Sequence, residues 1–394
     1  MMSLVTRLED LVDSGRCLIF ASGGLDSTYG MKWAAEHGVD LVALHVDVGG
    51  DSGAAVAAAA DCVGIELRRV DARDRFARDF VAPAIRAGGL YQGVFPISAS
   101  LSRPLMAQVA VDVARQIGAQ TIIHTAEPHQ NSFNRFNVSI ALLGPELRIA
   151  SPFLDSRLDR QAKRAALEQQ GLRLAEPVHS VDTNLWCRVI ENGSLDDSTS
   201  RVPESVFTWS RMTEPGTEQT VRLRFSQGVP VSLDARPLPL SHLVHELNGL
   251  AGAHGIGRFD GFEGTPWTAK NREVREAPAA AVILAAFRRL CQVTLTDDEL
   301  ELLDMCAARW IRAAVAGHWF TTVMQTLGGA VERLTRAVTG DVTVVLRSGG
   351  AFVSAVHPTH SLALDHYPLD LAAPLSYHRL LMAQVGADLL RNSH

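Results

Sequence analysis

Phe20-Ala21-Ser22-Gly23-Gly24-Leu25-Asp26-Ser27-Thr28 joins an apolar run, Cys17 to Phe20, to a segment of helical character, Tyr29 to His37. It reads as a strand, a phosphate-cradling turn and a helix start. Gly23 and Gly24 have no Cβ, so the turn can aim consecutive backbone N–H groups at one anion. Hydroxyls at Ser22, Ser27 and Thr28 add donors, and the helix behind them adds the positive end of its dipole. A Walker-type loop reads Gly-x-x-x-x-Gly-Lys-Ser/Thr, and no lysine follows these glycines, so phosphoryl transfer of the P-loop kind is not indicated. A plain capping turn needs fewer donors, and the spacing predicts a polyphosphate cradle.

Outward from the loop, apolar runs alternate with helical segments, the pattern of a parallel sheet with crossover helices. Strands are predicted over 17–20, 41–46, 66–70 and 121–124. Helices are predicted over 27–37, 53–63, 74–87 and 103–117, after a short leading helix over 3–12. In such open α/β sheets ligands lie beyond the carboxyl ends of the strands. The loop at Ser22 is there, and Val46 at the end of the next strand should form the adenine and ribose side of the same crevice. A polar stretch over 171–178 with Pro177 marks a boundary. Beyond it come a hairpin signal (Val221 to Phe225, Gly228, Val231 to Leu233), helices over 240–251, 279–293, 297–315 and 321–338, and a strand pair, 342–346 with 352–356. The expected organisation is an α/β nucleotide-binding domain over 1–172, an α+β domain over 173–365 and a C-terminal tail over 366–394. That tail carries an apolar-rich helix over 376–391, which packs on its own subunit or crosses to another.

A length of 394 residues with 47% apolar composition accommodates two or three domains. The net charge is −6 and the 37 basic residues are spread along the chain, which disfavours nucleic acid as the partner and favours small molecules. The five cysteines are widely spaced with no paired motif, so neither a disulfide framework nor a zinc site is expected, and the reading is a reducing cytoplasm. No apolar run approaches the roughly 18 residues of a membrane span, and the start of the chain has no signal-peptide pattern.

The loop resembles the pyrophosphate-binding signature of the N-type ATP pyrophosphatases, which split ATP into AMP and pyrophosphate while activating an oxygen. Four further stretches resemble the argininosuccinate synthase family. They are Ser100-Leu101-Ser102-Arg103-Pro104, Asp182 to Trp186 with Glu191 and Gly193, Gly249 to Arg258, and Lys270 to Pro278. The resemblance covers nearly the whole chain. It implies an open parallel-sheet, adenine nucleotide alpha hydrolase-like domain, an α+β synthetase domain and a C-terminal oligomerisation helix in a homotetramer. It also implies ATP and Mg²⁺ as cofactors, with ATP adenylating the ureido oxygen of citrulline before the amine of aspartate displaces AMP. Carried onto this chain, Asp26, Arg103 and Asn131 take catalytic positions. Phe20, Ala21, Ser22, Gly23, Gly24, Leu25, Asp26, Ser27 and Thr28, with Val46, His124 and His129, take the nucleotide side; no standing metal ligand is assigned.

On the substrate side Asn131 matches a position used for both amino acids, and Ser100, Arg135, Ser180 and Glu263 match citrulline contacts. A guanidinium such as Arg135 suits an α-carboxylate, and Glu263 suits an ammonium. Elsewhere the pattern departs. Where the family reads His-Gly-x-Thr-Gly-Lys-Gly-Asn-Asp-Gln, this chain reads His124-Thr125-Ala126-Glu127-Pro128-His129-Gln130-Asn131-Ser132-Phe133. Glu127 replaces a threonine that contacts aspartate, and Ser132 an aspartate that contacts its amine. A like-charge pair near 4 Å at an effective dielectric of about 20 is worth about 4 kcal/mol, so a Glu127 facing the pocket would repel aspartate. His129 is a candidate for positive charge near phosphate or for accepting a proton from the attacking amine. Phe95 and Arg275 stand for tyrosines and Val189 for a serine, which suggests a substrate with an added carboxylate or phosphate. The expected function is therefore an argininosuccinate synthase-like, AMP-forming C–N ligase with substrates other than citrulline and aspartate, in specialised metabolism. The alternatives are a true argininosuccinate synthase and a catalytically silent nucleotide-binding scaffold.

Overall fold

The computed structural model describes residues 4–50, 52–155, 158–174, 178–213, 215–266 and 269–363. The helix expected over 376–391 lies outside them. In chain order the first part runs β1 (Leu4–Val5), β2 (Cys17–Phe20), α1 (Leu25–Glu36), β3 (Leu41–Asp47), α2 (Gly53–Val63), β4 (Glu66–Asp71) and α3 (Arg73–Phe76). After a π-helical turn (Ala77–Val81) come α4 (Ala82–Arg86), β5 (Leu90–Tyr91), β6 (Phe95–Pro96), α5 (Ala99–Ile117), β7 (Thr121–Ile123), α6 (Asn131–Leu143), β8 (Arg148–Ala150) and α7 (Arg160–Glu168).

Six of these strands form a parallel sheet in the order β1-β8-β7-β2-β3-β4. Strands β2 and β3 are apolar almost throughout because both their faces are covered. Leu18, Val42 and Leu44 enter one core, and Ile19, Leu41 and Ala43 the other. The chain leaves β2 toward β3 on one side and later returns to β7 on the other, so the crevice between β2 and β7 is the switch point where α/β sheets bind ligands. The predicted leading helix over 3–12 is not formed. Leu4–Val5 is instead an edge strand paired with Ile149 and Ala150, followed by a short 3-10 turn at Glu9–Leu11. A two-residue strand shows no period that a sequence pattern can register.

The second part holds β9 (Ser180–Thr183), β10 (Arg188–Glu191), β11 (Gln219–Ser226), β12 (Val229–Leu233), β13 (Arg236–Pro237), α8 (Leu240–Ala253), β14 (Arg258–Gly264) and β15 (Lys270–Glu276). It ends with α9 (Pro278–Thr294), α10 (Asp297–Val315), α11 (Thr322–Thr335), β16 (Gly340–Arg347) and β17 (Gly350–Pro358). The expected hairpin is β11–β12, turned at Gln227 and Gly228, both left-handed with φ 50° and 80°. A capping box of Thr296 and Glu299 starts α10. Among the described residues this part forms two antiparallel sheets, β13-β12-β11-β16-β17 and β14-β15-β10-β9, while β5 and β6 of the first part pair as a short antiparallel ribbon. The largest buried cluster continues from Leu18 and Phe20 of the first part through Phe287 and Trp310 to Val342 of the second.

Candidate active site

The glycine loop follows β2 and ends on the first turn of α1. Gly23 is left-handed, with φ 76°, as a tight turn at this point requires. The Ser22 and Ser27 hydroxyls are engaged within the loop itself. Ser22 Oγ lies 3.0 Å from Ser27 Oγ, Ser27 Oγ donates to Gly24 O (3.1 Å), and Gly24 N donates to Ser22 Oγ (3.3 Å). They hold the turn's shape beside the N-terminus of α1, where the helix dipole would favour an anion. Thr28 Oγ1 is buried with no partner among the described residues. Ala21 N donates to Leu44 O, which aligns the loop with the end of β3, where Val46 is buried. Lys163 of α7 reaches the loop from outside it, its Nζ 2.7 Å from Asp26 Oδ1.

Helix α6 connects the nucleotide loop to a second region. Phe136 packs at a tilt of 34° on Phe20 of the loop (centroids 4.7 Å) and stacks on His124 (5.4 Å). His124 is fully buried, and burial pushes its imidazole down to about 4, so it is neutral at physiological pH. In the first turns of α6, Asn131, Ser132 and Arg135 line a cleft of about 430 Å³ together with His129, Arg103, Asp182, Val189, Glu263 and Arg275. Arg103 bridges the two regions, paired with Asp182 (2.9 Å) and 5.9 Å from the centre of the Phe136 ring.

The floor of the cleft is one face of the sheet β14-β15-β10-β9. Side chains alternate across a strand, so Asn271, Glu273 and Arg275 of β15 point the same way, while Val274 turns into the small core below with Ile190. The pairing register puts Asp182, Val189, Arg275 and Phe259 in one row, and Ser180 beside Glu191 and Glu263 beside Asn271 in others.

Two arginines and two glutamates form a buried lattice on this floor. Glu263 Oε1 accepts from Arg135 Nη2 (2.8 Å) and Asn131 Nδ2 (2.7 Å), and Glu263 Oε2 accepts from Arg275 Nη2 (3.1 Å). Arg275 also donates to Glu273 and to Pro96 O, with its guanidinium carbon 4.0 Å from the centre of the Phe95 ring. Burial works to raise the Glu263 carboxyl, but the flanking Arg135 and Arg275 outweigh it and hold it below the ordinary range. Glu273 lies the other way, pushed up to about 7 by burial with Glu263 and Glu191 close by. Glu191, which accepts from Asn271 (2.6 Å), is raised for the same first reason.

Several placements differ from the sequence reading. The Arg275 guanidinium, expected to receive an added substrate anion, is already bound by Glu273, Glu263 and the Pro96 carbonyl. Glu127 does not line the cleft with Asn131. It lies 3.4 Å from His129 Nδ1 on an exposed loop, and borders a separate cavity of about 210 Å³ with Thr125, Ser151 and Phe153. Its backbone N–H is taken by the Gln130 side chain, which fixes the turn in that direction. Phe95 is buried beneath Arg275, Ser100 Oγ is buried with no partner among the described residues, and Ser180 is exposed and accepts from Asn192. Lys163, Glu273 and Asn271 escaped the sequence reading; the alternation along β15 carries a signal for the last two. A larger cavity of about 930 Å³ between α9 and α10, lined by Leu284, Phe287, Leu303 and Ile311, includes none of the site residues.

Residues 16–173 match the family model of the arginosuccinate synthase N-terminal HUP domain, and residues 179–371 that of the arginosuccinate synthase C-terminal domain. The chain is 37% identical over 366 residues to an argininosuccinate synthase of Rubrobacter xylanophilus, covering 91% of this chain and 88% of that protein. It is 35% identical over 343 residues to the argininosuccinate synthase of Pyrococcus furiosus, with 86% and 84% covered, and 36% identical over 348 residues to that of Bacillus licheniformis, with 86% of each covered. With both family models spanning most of its length, the chain belongs to the argininosuccinate synthase family and is an ATP-dependent carbon–nitrogen ligase.

Proposed function

We propose that the protein joins citrulline to aspartate, adenylating the ureido oxygen with ATP and releasing AMP and pyrophosphate. The relatives' names support this pair over specialised substrates. The observation that carries it is the adjacency of the two regions along α6. Phe20 of the nucleotide loop, Phe136 and Arg103 form a continuous contact from the loop to the cleft where Asn131 and Arg135 lie. Binding two substrates and the nucleotide around one helix converts encounter into orientation. In this reading the loop and the α1 N-terminus hold the pyrophosphate, and Arg103 and Asn131 orient the reacting groups.

Asp26 is the loop's only carboxylate, with Oδ1 engaged by Lys163, and the described residues hold no group of three or more His, Cys, Asp or Glu side chains able to bind a metal. Asp26 Oδ2 would be the atom that reaches magnesium carried on phosphates, the usual mode for that ion. When bound it would neutralise polyphosphate charge. The residue assignments, the division near residue 172, a cytoplasmic location and a homotetramer completed by 366–394 are parts of the same proposal. No described helix is long and apolar enough to cross a membrane.

A second reading keeps the reaction and changes the acceptor. It is favoured by the buried contact of Arg275 with Phe95 and Glu263, which fills with a fixed guanidinium the place where the family carries a tyrosine. Pyrophosphate release measured with citrulline and aspartate together, with each omitted, and with other ureido or carboxylate acceptors separates the two. The first reading expects release that needs both amino acids. Release with a different acceptor and none with citrulline would replace it by the second, and no ATP binding in a calorimetric titration would leave only the scaffold.

A further inference from the structure

The sequence places no lysine in the nucleotide loop, yet the fold brings one to it. Helix α7 shows solvent most of its surface and buries only Lys163 and Leu167, one turn apart on its inner face. A lysine at a core-facing position is uncommon unless it is paired. The Lys163 side chain is 8% exposed, and its Nζ lies 2.7 Å from Asp26 Oδ1 and 4.0 Å from the centre of the Phe153 ring. Phe153 in turn packs on Tyr29 of α1 (centroids 6.2 Å), so the ammonium is held against the first turn of the helix whose N-terminus ends the glycine loop. Three features converge there: a helix N-terminus, a left-handed glycine turn and a desolvated cation. An ammonium carries three donors, and Asp26 takes one.

We propose that Lys163 is a phosphate-binding residue of the nucleotide site, its ammonium contacting the terminal phosphates of ATP that depart as pyrophosphate. The proposal rests on the ATP-dependent ligation proposed above. It gives the loop, from a helix 137 positions further along the chain, the fixed positive charge that its own sequence lacks. Asp26 holds the flexible lysine stem in place, and the ring of Phe153 shields the ammonium from water, which strengthens its attraction for an anion.

The test is calorimetric titration of inorganic pyrophosphate, with Mg²⁺ present, into wild type, Lys163→Met and Lys163→Arg, with melting of each ligand-free protein as the control for folding. Loss of one charge-assisted contact predicts pyrophosphate and ATP binding weaker by about tenfold or more in Lys163→Met. At saturating ATP, the KM values for the two amino acids should stay at wild-type levels. Lys163→Arg, which keeps the charge, should retain most of the affinity, and Lys163→Gln carries the expectation of the methionine variant if that one fails to fold. Pyrophosphate binding unchanged in the uncharged variants overturns the proposal. So does recovery of binding when Asp26→Asn is added to Lys163→Met, because the lysine would then act only by neutralising Asp26. A wild type that binds neither pyrophosphate nor ATP removes the ligation reading and this proposal together.

Discussion

Glu263 is held by three donors, from Asn131, Arg135 and Arg275, so its position and charge are fixed before any substrate arrives. A carboxylate engaged this way orients its neighbours more than it offers itself to a free ammonium. Arg135→Ala removes the guanidinium suited to a substrate carboxylate and leaves Glu263 with one cation, so turnover should fall below detection in a pyrophosphate-release assay. Glu127→Thr should leave the KM for aspartate unchanged, because Glu127 faces His129 and a separate cavity. An improved KM would return Glu127 to the specificity question. Glu273 makes a pH prediction. Its folded carboxyl lies near 7 against an ordinary 4.5, so between these values the folded state binds more protons than the unfolded chain. Its contribution is then fully present below about pH 4.5 and is lost as pH rises through about 7. Melting temperatures recorded across that window should show a shallower fall in Glu273→Gln than in wild type.

At the scale of elements, the cleft floor depends on the pleat of β14 and β15. A Cβ on Gly261 of β14 would come within 2.6 Å of two ring atoms of Phe95, so the strand must carry glycine for the ring to lie flat beneath Arg275. Gly261→Ala is expected to displace Phe95 and raise the KM for the acceptor by about tenfold or more, by analogy with other shape changes in substrate pockets, while the KM for ATP stays constant. Equal changes in both constants would instead indicate a general loss of structure. These elements also show what was legible from sequence. The β2 loop is a contiguous motif between an apolar strand and a helix, so its fold could be read directly. Strands β1 and β8 are too short to show a period, β9 is largely exposed, and β10, β14 and β15 carry charges among their buried or half-buried positions, which disguises them as polar segments. Lys163 was invisible for a different reason: its partner lies far away in sequence, and only packing of α7 on α1 joins them.

At the scale of the molecule, the Arg135–Glu263 pair ties α6 of the first part to β14 of the second, with both side chains under 5% exposed. Around it one apolar core runs through both parts. A buried ion pair contributes little against a well-packed apolar replacement, but removing one partner leaves a desolvated charge, at a cost of about 3–5 kcal/mol. Here Glu263→Ala would strand the Arg135 guanidinium, which has no other carboxylate among its described bonds, whereas Arg275 retains Glu273. The expected result in urea is a lower unfolding midpoint with an unchanged slope and a single transition, because the continuous core leaves no part able to unfold alone. Two separated transitions in the variant would mean that this ion pair, rather than the shared core, holds the parts together. An unchanged midpoint would mean that water reaches Arg135 once the carboxylate is gone, and that the cleft is more open in solution than its buried lattice implies.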